Sequence, residues 1–164
     1  MTSCLVLDTA KNTMVGMGQI VLARAPATLS AVLGSCVGVV LYHPRLCLGA
    51  LGHVMLPDSA GRSGGGAKFA DQAVPAMVQE MERQGAHRAG LVAKIVGGAS
   101  MFGTPGPLQV GPANAEAVTR ALSGLAIRVS AQDVGGSKGR RIGFDPATGA
   151  VVVEIVGQPP RTLA

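Results

Sequence analysis

The sequence predicts an α+β fold in a single domain. Short apolar runs of strand length recur from Met17 to Val156, and only two segments carry helical spacing. Those two segments are inserted among the strands rather than alternating with them, which excludes a regular βαβα order and favours a layered α+β arrangement. Size and composition agree. A chain of 164 residues that is 48% apolar and 14% charged buries a proper core and lies far from the charge content of disordered chains. With one Tyr, three Phe and no Trp, that core is built from Val, Leu, Ala, Met and Ile.

Met17 to Leu22 reads as the opening strand, closed by Pro26. Ser30 to Cys36 is a run of small residues that reads as a turn delivering a thiol to the head of the next strand. That strand, Cys36 to Tyr42, is apolar at nearly every position, the pattern of a strand buried on both faces. His43-Pro44-Arg45 supplies a turn and Leu46 to Met55 returns as the partner strand. Ser59 to Gly66 is a polar loop; its Gly64-Gly-Gly66 run lacks the Gly-Lys-Ser/Thr ending of a phosphate cradle. Phe69, Ala73, Ala76, Met77 and Met81 recur at helical spacing as far as Gln84, with Gly85 as the stop and Pro75 as an internal cost. The Met77 and Met81 stripe belongs to the core. Gly90 to Val96 is a strand ended by Gly97-Gly98, and Ala113 to Leu122 a second helix ended at Gly124. Leu125 to Val134, Arg140 to Phe144 and Ala150 to Val156 complete the strands, the last two joined by a turn at Asp145 to Gly149. Residues 1–157 make the domain, and residues 158–164, with Pro159-Pro160, a flexible C-terminal tail.

The net charge of +5 and pI of about 9.6 raise nucleic-acid binding first. The bases are spread along the chain and stacking aromatics are almost absent, so the reading is a solvated basic surface with modest steering of acidic partners. Met1 to Lys11 lacks the basic start and apolar stretch of a signal peptide, and no window reaches the ~18 apolar residues of a membrane span. Three cysteines, Cys4, Cys36 and Cys47, without framework spacing point to a reducing compartment. The expectation is a cytoplasmic protein with no membrane insertion.

The chemistry concentrates in Ser30-Ala-Val-Leu-Gly-Ser-Cys36 and Gly52-His53-Val-Met-Leu-Pro57. A free thiol titrates at about 8.5 and needs a nearby base or imidazolium to act as a nucleophile at neutral pH. Cys36 at the start of one strand and His53 near the end of the next supply that pair. Ser30 offers a hydroxyl to orient the ring, and backbone N–H groups of the Gly34-Ser35-Cys36 turn could hold an oxyanion. The competing readings are a buried thiol with a core histidine, and a metal site adding His43 and Cys47. Zinc wants three or four ligands in fixed geometry, no Cys-x-x-Cys spacing exists, and His43 falls at the far end of the hairpin. Cys47 is then a strand thiol, Cys4 a bystander and His87 a solvated residue. No cofactor and no metal are expected.

Beyond the pair, the wording of the chain resembles the CheD family of chemoreceptor glutamine deamidases. The resemblance runs through Met17-Gly-Gln-Ile20, Leu33-Gly-Ser-Cys-Val-Gly-Val39, His53-Val-Met-Leu-Pro57, Lys68-Phe-Ala-Asp71, Lys94 to Phe102 and Gly135 to Ile142, covering about Met14 to Val156. It implies an α/β/β sandwich of mixed sheets with two helices on one side. It implies hydrolysis of specific glutamine side chains on chemoreceptor signalling helices, with Cys36 as nucleophile, His53 as its proton partner and ammonia as product. It also implies a regulatory partnership with a CheC-type phosphatase; the alternative is a binding module that docks receptors or that phosphatase with little catalysis. The family carries Thr as a third catalytic residue six positions before the nucleophile. Ser30 stands there, with Thr28 the alternative if the turn is shifted by two residues. Relatives show an arginine before the asparagine of an Ile-Gly-x-Arg-Asn-like segment, which Val110-Gly-Pro-Ala-Asn114 lacks. The basic Gly135 to Arg141 loop reads as a turn region that could also meet acidic receptor residues. Met101 and Phe102, in the Gly97 to Gly103 segment, read either as core or as an apolar docking tip.

Overall fold

The computed structural model describes residues 5–101 and 110–164. Cys4, Phe102 and Gly103 of the sequence reading lie outside the described residues. The elements are β1 (Val6–Leu7), β2 (Asn12–Met14), β3 (Ile20–Arg24), β4 (Thr28–Leu33), β5 (Val37–His43), β6 (Leu48–Val54), α1 (Ala70–Arg83), β7 (Val92–Gly97), α2 (Val110–Gly124), β8 (Arg128–Val134), β9 (Arg140–Phe144), β10 (Val151–Glu154) and β11 (Arg161–Leu163). They form two mixed sheets, one in the order β1-β3-β6-β5-β7-β8 and one in the order β11-β10-β9-β4-β2. The fold is α+β, as the sequence predicts.

Strand alternation divides the core into two layers. Val37, Val39 and Leu41 of β5 face α1 and α2, meeting Val74, Met77, Val78, Met81, Val118 and Leu122. Val40 and Tyr42 face the second sheet, meeting Leu29, Ala31, Leu33, Ile142, Phe144 and Val153. The continuous apolar run of β5 is therefore read by both layers, which is why none of its positions is polar before His43. Truncating a fully buried strand residue such as Leu51 to Ala costs about 2–5 kcal/mol, the lost burial plus the void left behind. Tyr42 and Phe144 meet edge to face at 6.0 Å between centroids. The ring of Phe144 occupies the space above Gly49, where a Cβ would collide with it.

Helix α1 runs through Pro75 and stops at Gly85, whose φ of +88° ends the helical path. Its Asp71 accepts from the Ser59 hydroxyl at 2.6 Å and the Ser59 amide at 2.9 Å, pinning the polar loop to the helix start. Burial pushes the Asp71 carboxyl up, and these Ser59 bonds outweigh it and leave it below the usual carboxylate range.

Several expectations differ from the structure. Cys47, expected as a strand thiol, sits in a turn with φ +46° ahead of β6. The opening strand starts at Ile20 instead of Met17, because Gly16 to Gln19 close a turn: Gln19 N donates to the Gly16 carbonyl, and Gly16 N to the Gln19 side chain. Most of the segment read as a turn from Ser30 is strand: β4 runs to Leu33, pairs with β9 and β2, and leaves only Gly34, Ser35 and Cys36 to turn. The segment expected as a tail carries β11, which pairs with β10 and buries Leu163. The buried Lys94 ammonium holds the Leu163 carbonyl at 3.1 Å and the Gly149 carbonyl at 2.5 Å, so the chain end is tied to the middle of the first sheet.

Candidate active site

Strands β5 and β6 pair with Gly38 opposite His53 and Val37 opposite Val54, which places Cys36 one step beyond, diagonal to His53. Residues two apart share a face, and diagonal neighbours on one face stand within reach of long side chains. Both side chains face the second sheet: Cys36 packs against its layer, and His53 meets the carbonyl of Val15 from that layer. Gly38, directly opposite the imidazole, contributes no side chain, and a Cβ there would press on Leu33 and Ile142 at about 3 Å. The sequence-predicted thiol and imidazole thus stand at diagonal positions on one face of the first sheet.

His53 is held on all sides. Its amide donates to the Gln19 carbonyl at 3.0 Å and its carbonyl accepts from Gly18 at 2.9 Å. Its Nδ1 lies 3.0 Å from the Val15 carbonyl. A carbonyl only accepts, so Nδ1 carries a proton, and in the neutral ring Nε2 is then the nitrogen that presents a lone pair. Nε2 is buried and has no hydrogen-bond partner among the described residues. An unpaired buried acceptor costs about 1–3 kcal/mol, and an incoming thiol proton would relieve it. Cys36 is free and half-buried, and burial pushes its thiol up from the ordinary range. The resting Cys36 side chain at neutral pH is therefore a protonated thiol, not a preformed thiolate.

Ser30 does not share this face. In β4, residues 29, 31 and 33 enter the layer between the sheets, so 28, 30 and 32 face outward. The Ser30 hydroxyl donates to Asn12 Oδ1 at 2.8 Å, and Asn12 Nδ2 donates to the Thr28 hydroxyl at 3.0 Å. Both candidate orienting hydroxyls are thus engaged by Asn12 on the outer face. The link from Ser30 to His53 runs through backbone: the Val15 amide donates to the Ser30 carbonyl at 2.7 Å, and the Val15 carbonyl receives the imidazole. A main-chain carbonyl leaves no trace in residue types, and the sequence reading had no signal for Val15.

All three carbonyls of the Gly34-Ser35-Cys36 turn are engaged. That of Gly34 accepts from Ala99 at 3.1 Å, that of Ser35 from Asn114 Nδ2 at 3.0 Å and that of Cys36 from Gly98 at 2.9 Å. Gly97 takes φ +110° and Gly98 φ +67°, and a Cβ on Gly97 would run into the Cys36 carbonyl. Exposed Met101 overhangs the turn at Gly34. Arg140, from the loop read as a basic turn region, is buried beside the same corner. It donates to Asp133 at 3.0 Å and to the carbonyls of Gly135 at 2.7 Å and Gly97 at 3.4 Å. His43 and Cys47 stand at the opposite end of the β5–β6 hairpin, and the Cys47 thiol faces the carbonyls of Pro44 and Ala147. A groove of about 770 Å³ runs along Val32, Arg141, Ile155 and Val156 and contains neither Cys36 nor His53.

Residues 55–155 match the family described as CheD chemotactic sensory transduction. A protein of Clostridium botulinum named "Probable chemoreceptor glutamine deamidase CheD" is 42% identical over 153 residues, covering 90% of this chain and 94% of its own. The chain belongs to the CheD family. A relative of the same name from Archaeoglobus fulgidus is 42% identical over 143 residues, covering 86% of this chain and 91% of its own. The crystal structure of the hypothetical protein YfiH of Bacillus licheniformis superposes on 73% of this chain and 50% of its own at a TM-score of 0.43 and 16% identity, too distant a likeness to support the fold. In this CheD-family chain no described helix is long and apolar enough to cross a membrane.

Proposed function

We propose that this chain hydrolyses glutamine side chains of chemoreceptor cytoplasmic helices to glutamate, with Cys36 as nucleophile and His53 as the group that moves its proton. The observation that carries the reading is the imidazole fixed by the Val15 carbonyl, its unpaired Nε2 on the same sheet face as the Cys36 thiol. Membership of a family whose relatives are named chemoreceptor glutamine deamidases supplies the substrate class.

As the sulfur attacks the carboxamide carbon, Nε2 takes the thiol proton, which a thiol raised by burial still carries. The carbonyl oxygen becomes an oxyanion, and amide N–H groups of the Gly34-Ser35-Cys36 turn receive it; one such donor is worth about 3 kcal/mol. The imidazolium then protonates the departing nitrogen, which leaves as ammonia, and a thioester remains on Cys36. Neutral Nε2 next draws a proton from water as it attacks the thioester, and the released thiolate takes that proton back. Val15 keeps the tautomer and angle of the ring through both steps, and Ser30 supports Val15 through its carbonyl. The reaction is cytoplasmic, and a receptor-like helix of a CheC-type phosphatase would approach the same corner.

The test is ammonia release from a purified receptor fragment, measured with glutamate dehydrogenase. Wild type should release ammonia, and Cys36→Ala and His53→Ala should not, at unchanged thermal unfolding. Full activity in a folded Cys36→Ala variant would refute the assignment.

A further inference from the structure

We infer that Asn114 is a positioning residue that aims the Cys36 amide N–H at the oxyanion; this rests on the deamidase reading of Cys36. Asn114 lies in α2 and is fully buried. Its Nδ2 donates to two carbonyls, Ser35 at 3.0 Å and Met55 at 2.9 Å. Two acceptors demand the amino group, so the orientation of the side-chain amide is fixed by chemistry. Its Oδ1 is buried with no partner among the described residues, so the side chain gives up one hydrogen bond to keep the other two.

The geometry of one peptide unit turns this tie into a catalytic consequence. In a planar trans peptide the C=O and the following N–H point in opposite directions. The Ser35 carbonyl and the Cys36 N–H belong to the same unit. Asn114 draws that carbonyl toward α2, which packs on the helix side of the first sheet. The Cys36 N–H is thereby turned toward the other side, where the thiol and the His53 imidazole lie. The carbonyls of Gly34 and Cys36 are held by Ala99 and Gly98 in the same loop region, so the neighbouring peptide units cannot rotate to compensate. The second bond, to Met55, joins the nucleophile turn to the chain two residues past His53. One amide thus ties together the two segments whose relative placement the reaction needs.

The experiment compares wild type, Asn114→Ala and Asn114→Ser, the last keeping one donor, at temperatures where circular dichroism shows each folded. Ammonia release gives kcat and KM; the rate of Cys36 alkylation by iodoacetamide, a displacement that forms no oxyanion, reports on the thiol alone. The expected result is a kcat lower by about 100-fold in Asn114→Ala, the scale of losing one oxyanion donor, with KM and alkylation within about threefold of wild type and Ser between the two. A folded Ala variant with kcat within about threefold of wild type would overturn the inference, since the scale of a lost donor is far larger. So would a parallel fall of kcat and alkylation, or loss of the folded state in both variants, which would make Asn114 a structural tie alone. A wild type that releases no ammonia would sink the deamidase reading separately. Asn114 is then judged with butyraldehyde labelled with carbon-13 at its carbonyl, which forms a thiohemiacetal on Cys36 without any glutamine. A lower thiohemiacetal population in Asn114→Ala supports the inference, and an equal one overturns it.

Discussion

Replacing Arg140 by Met tests how the two sheets are closed beside the nucleophile turn. Arg140 and Asp133 are both nearly buried, and Asp133 holds a second arginine, Arg161, whose side chain is 64% exposed. Removing one partner of a buried pair costs about 3–5 kcal/mol, because the remaining charge stays desolvated. Arg161 stays on Asp133 in this variant, which reduces that loss. The carbonyls of Gly97 and Gly135 lose their donor at the same time, which adds to it at about 1 kcal/mol each. The net expectation is a loss of about 3–5 kcal/mol, or about 6–20 °C in Tm for a domain of this size. Arg161→Met removes an exposed partner at a similar distance and should cost about 0–1 kcal/mol. Urea unfolding followed by far-ultraviolet circular dichroism measures both, since the single tyrosine makes a weak fluorescence probe. Equal losses for the two arginines would refute the reasoning that burial, not charge pairing as such, decides the energy here. So would an Arg140→Met variant within about 1 kcal/mol of wild type, the range of an exposed pair.

Ser30→Ala should lower Tm by a few degrees through its lost bond to Asn12, yet keep at least about a tenth of wild-type kcat, because the Val15 carbonyl still holds the ring; His53→Ala should lose orders of magnitude. Steady-state ammonia release at matched unfolding temperatures decides this, and equal collapse of both variants would return the orienting role to the hydroxyl. Burial raises the Cys36 thiol, so the fold binds that proton more tightly than the unfolded chain. Its stabilising contribution is full below the unfolded thiol's pKa and is lost as pH rises through the raised one. Iodoacetamide alkylation of Cys36 should accordingly titrate at higher pH in the native protein than in urea, and a lower native midpoint would contradict it. Lys94→Met should free β11, read as faster hydrogen exchange at Leu163 with the β5–β6 amides unchanged; uniform acceleration would argue against a local tie.

What the sequence conveyed follows from how each element is stabilised. The long apolar runs of β5 and β6 and the helical stripe of α1 declare themselves, because burial on one or two faces imposes a period. Strand β4 does not: Thr28-Leu-Ser-Ala-Val-Leu33 mixes small and polar residues, since its outer face carries the hydroxyls that Asn12 clamps. Strands β1, β2 and β11 have two or three residues each, and their pairing depends on partners distant in sequence. At the proposed site, Cys36 and His53 stand out in the sequence because the chemistry proposed for them is in their side chains. Val15 meets the imidazole through its main chain, and Asn114 meets the turn through a carbonyl of Ser35, so residue type pointed to neither contact. Because Ser30 to Leu33 is strand rather than turn, its alternation sends the Ser30 hydroxyl away from the imidazole.

Hydroxylamine intercepts a thioester, the intermediate that the proposed deamidation forms on Cys36. The amine attacks the thioester carbonyl, the thiolate leaves, and the receptor glutamine becomes a γ-hydroxamate that mass spectrometry locates. Wild type incubated with receptor fragment and hydroxylamine should yield hydroxamate at the same positions that become glutamate in its absence, and Cys36→Ala should yield neither. Glutamate formation by wild type with no hydroxamate at any hydroxylamine concentration, or hydroxamate formed by Cys36→Ala, would contradict the account.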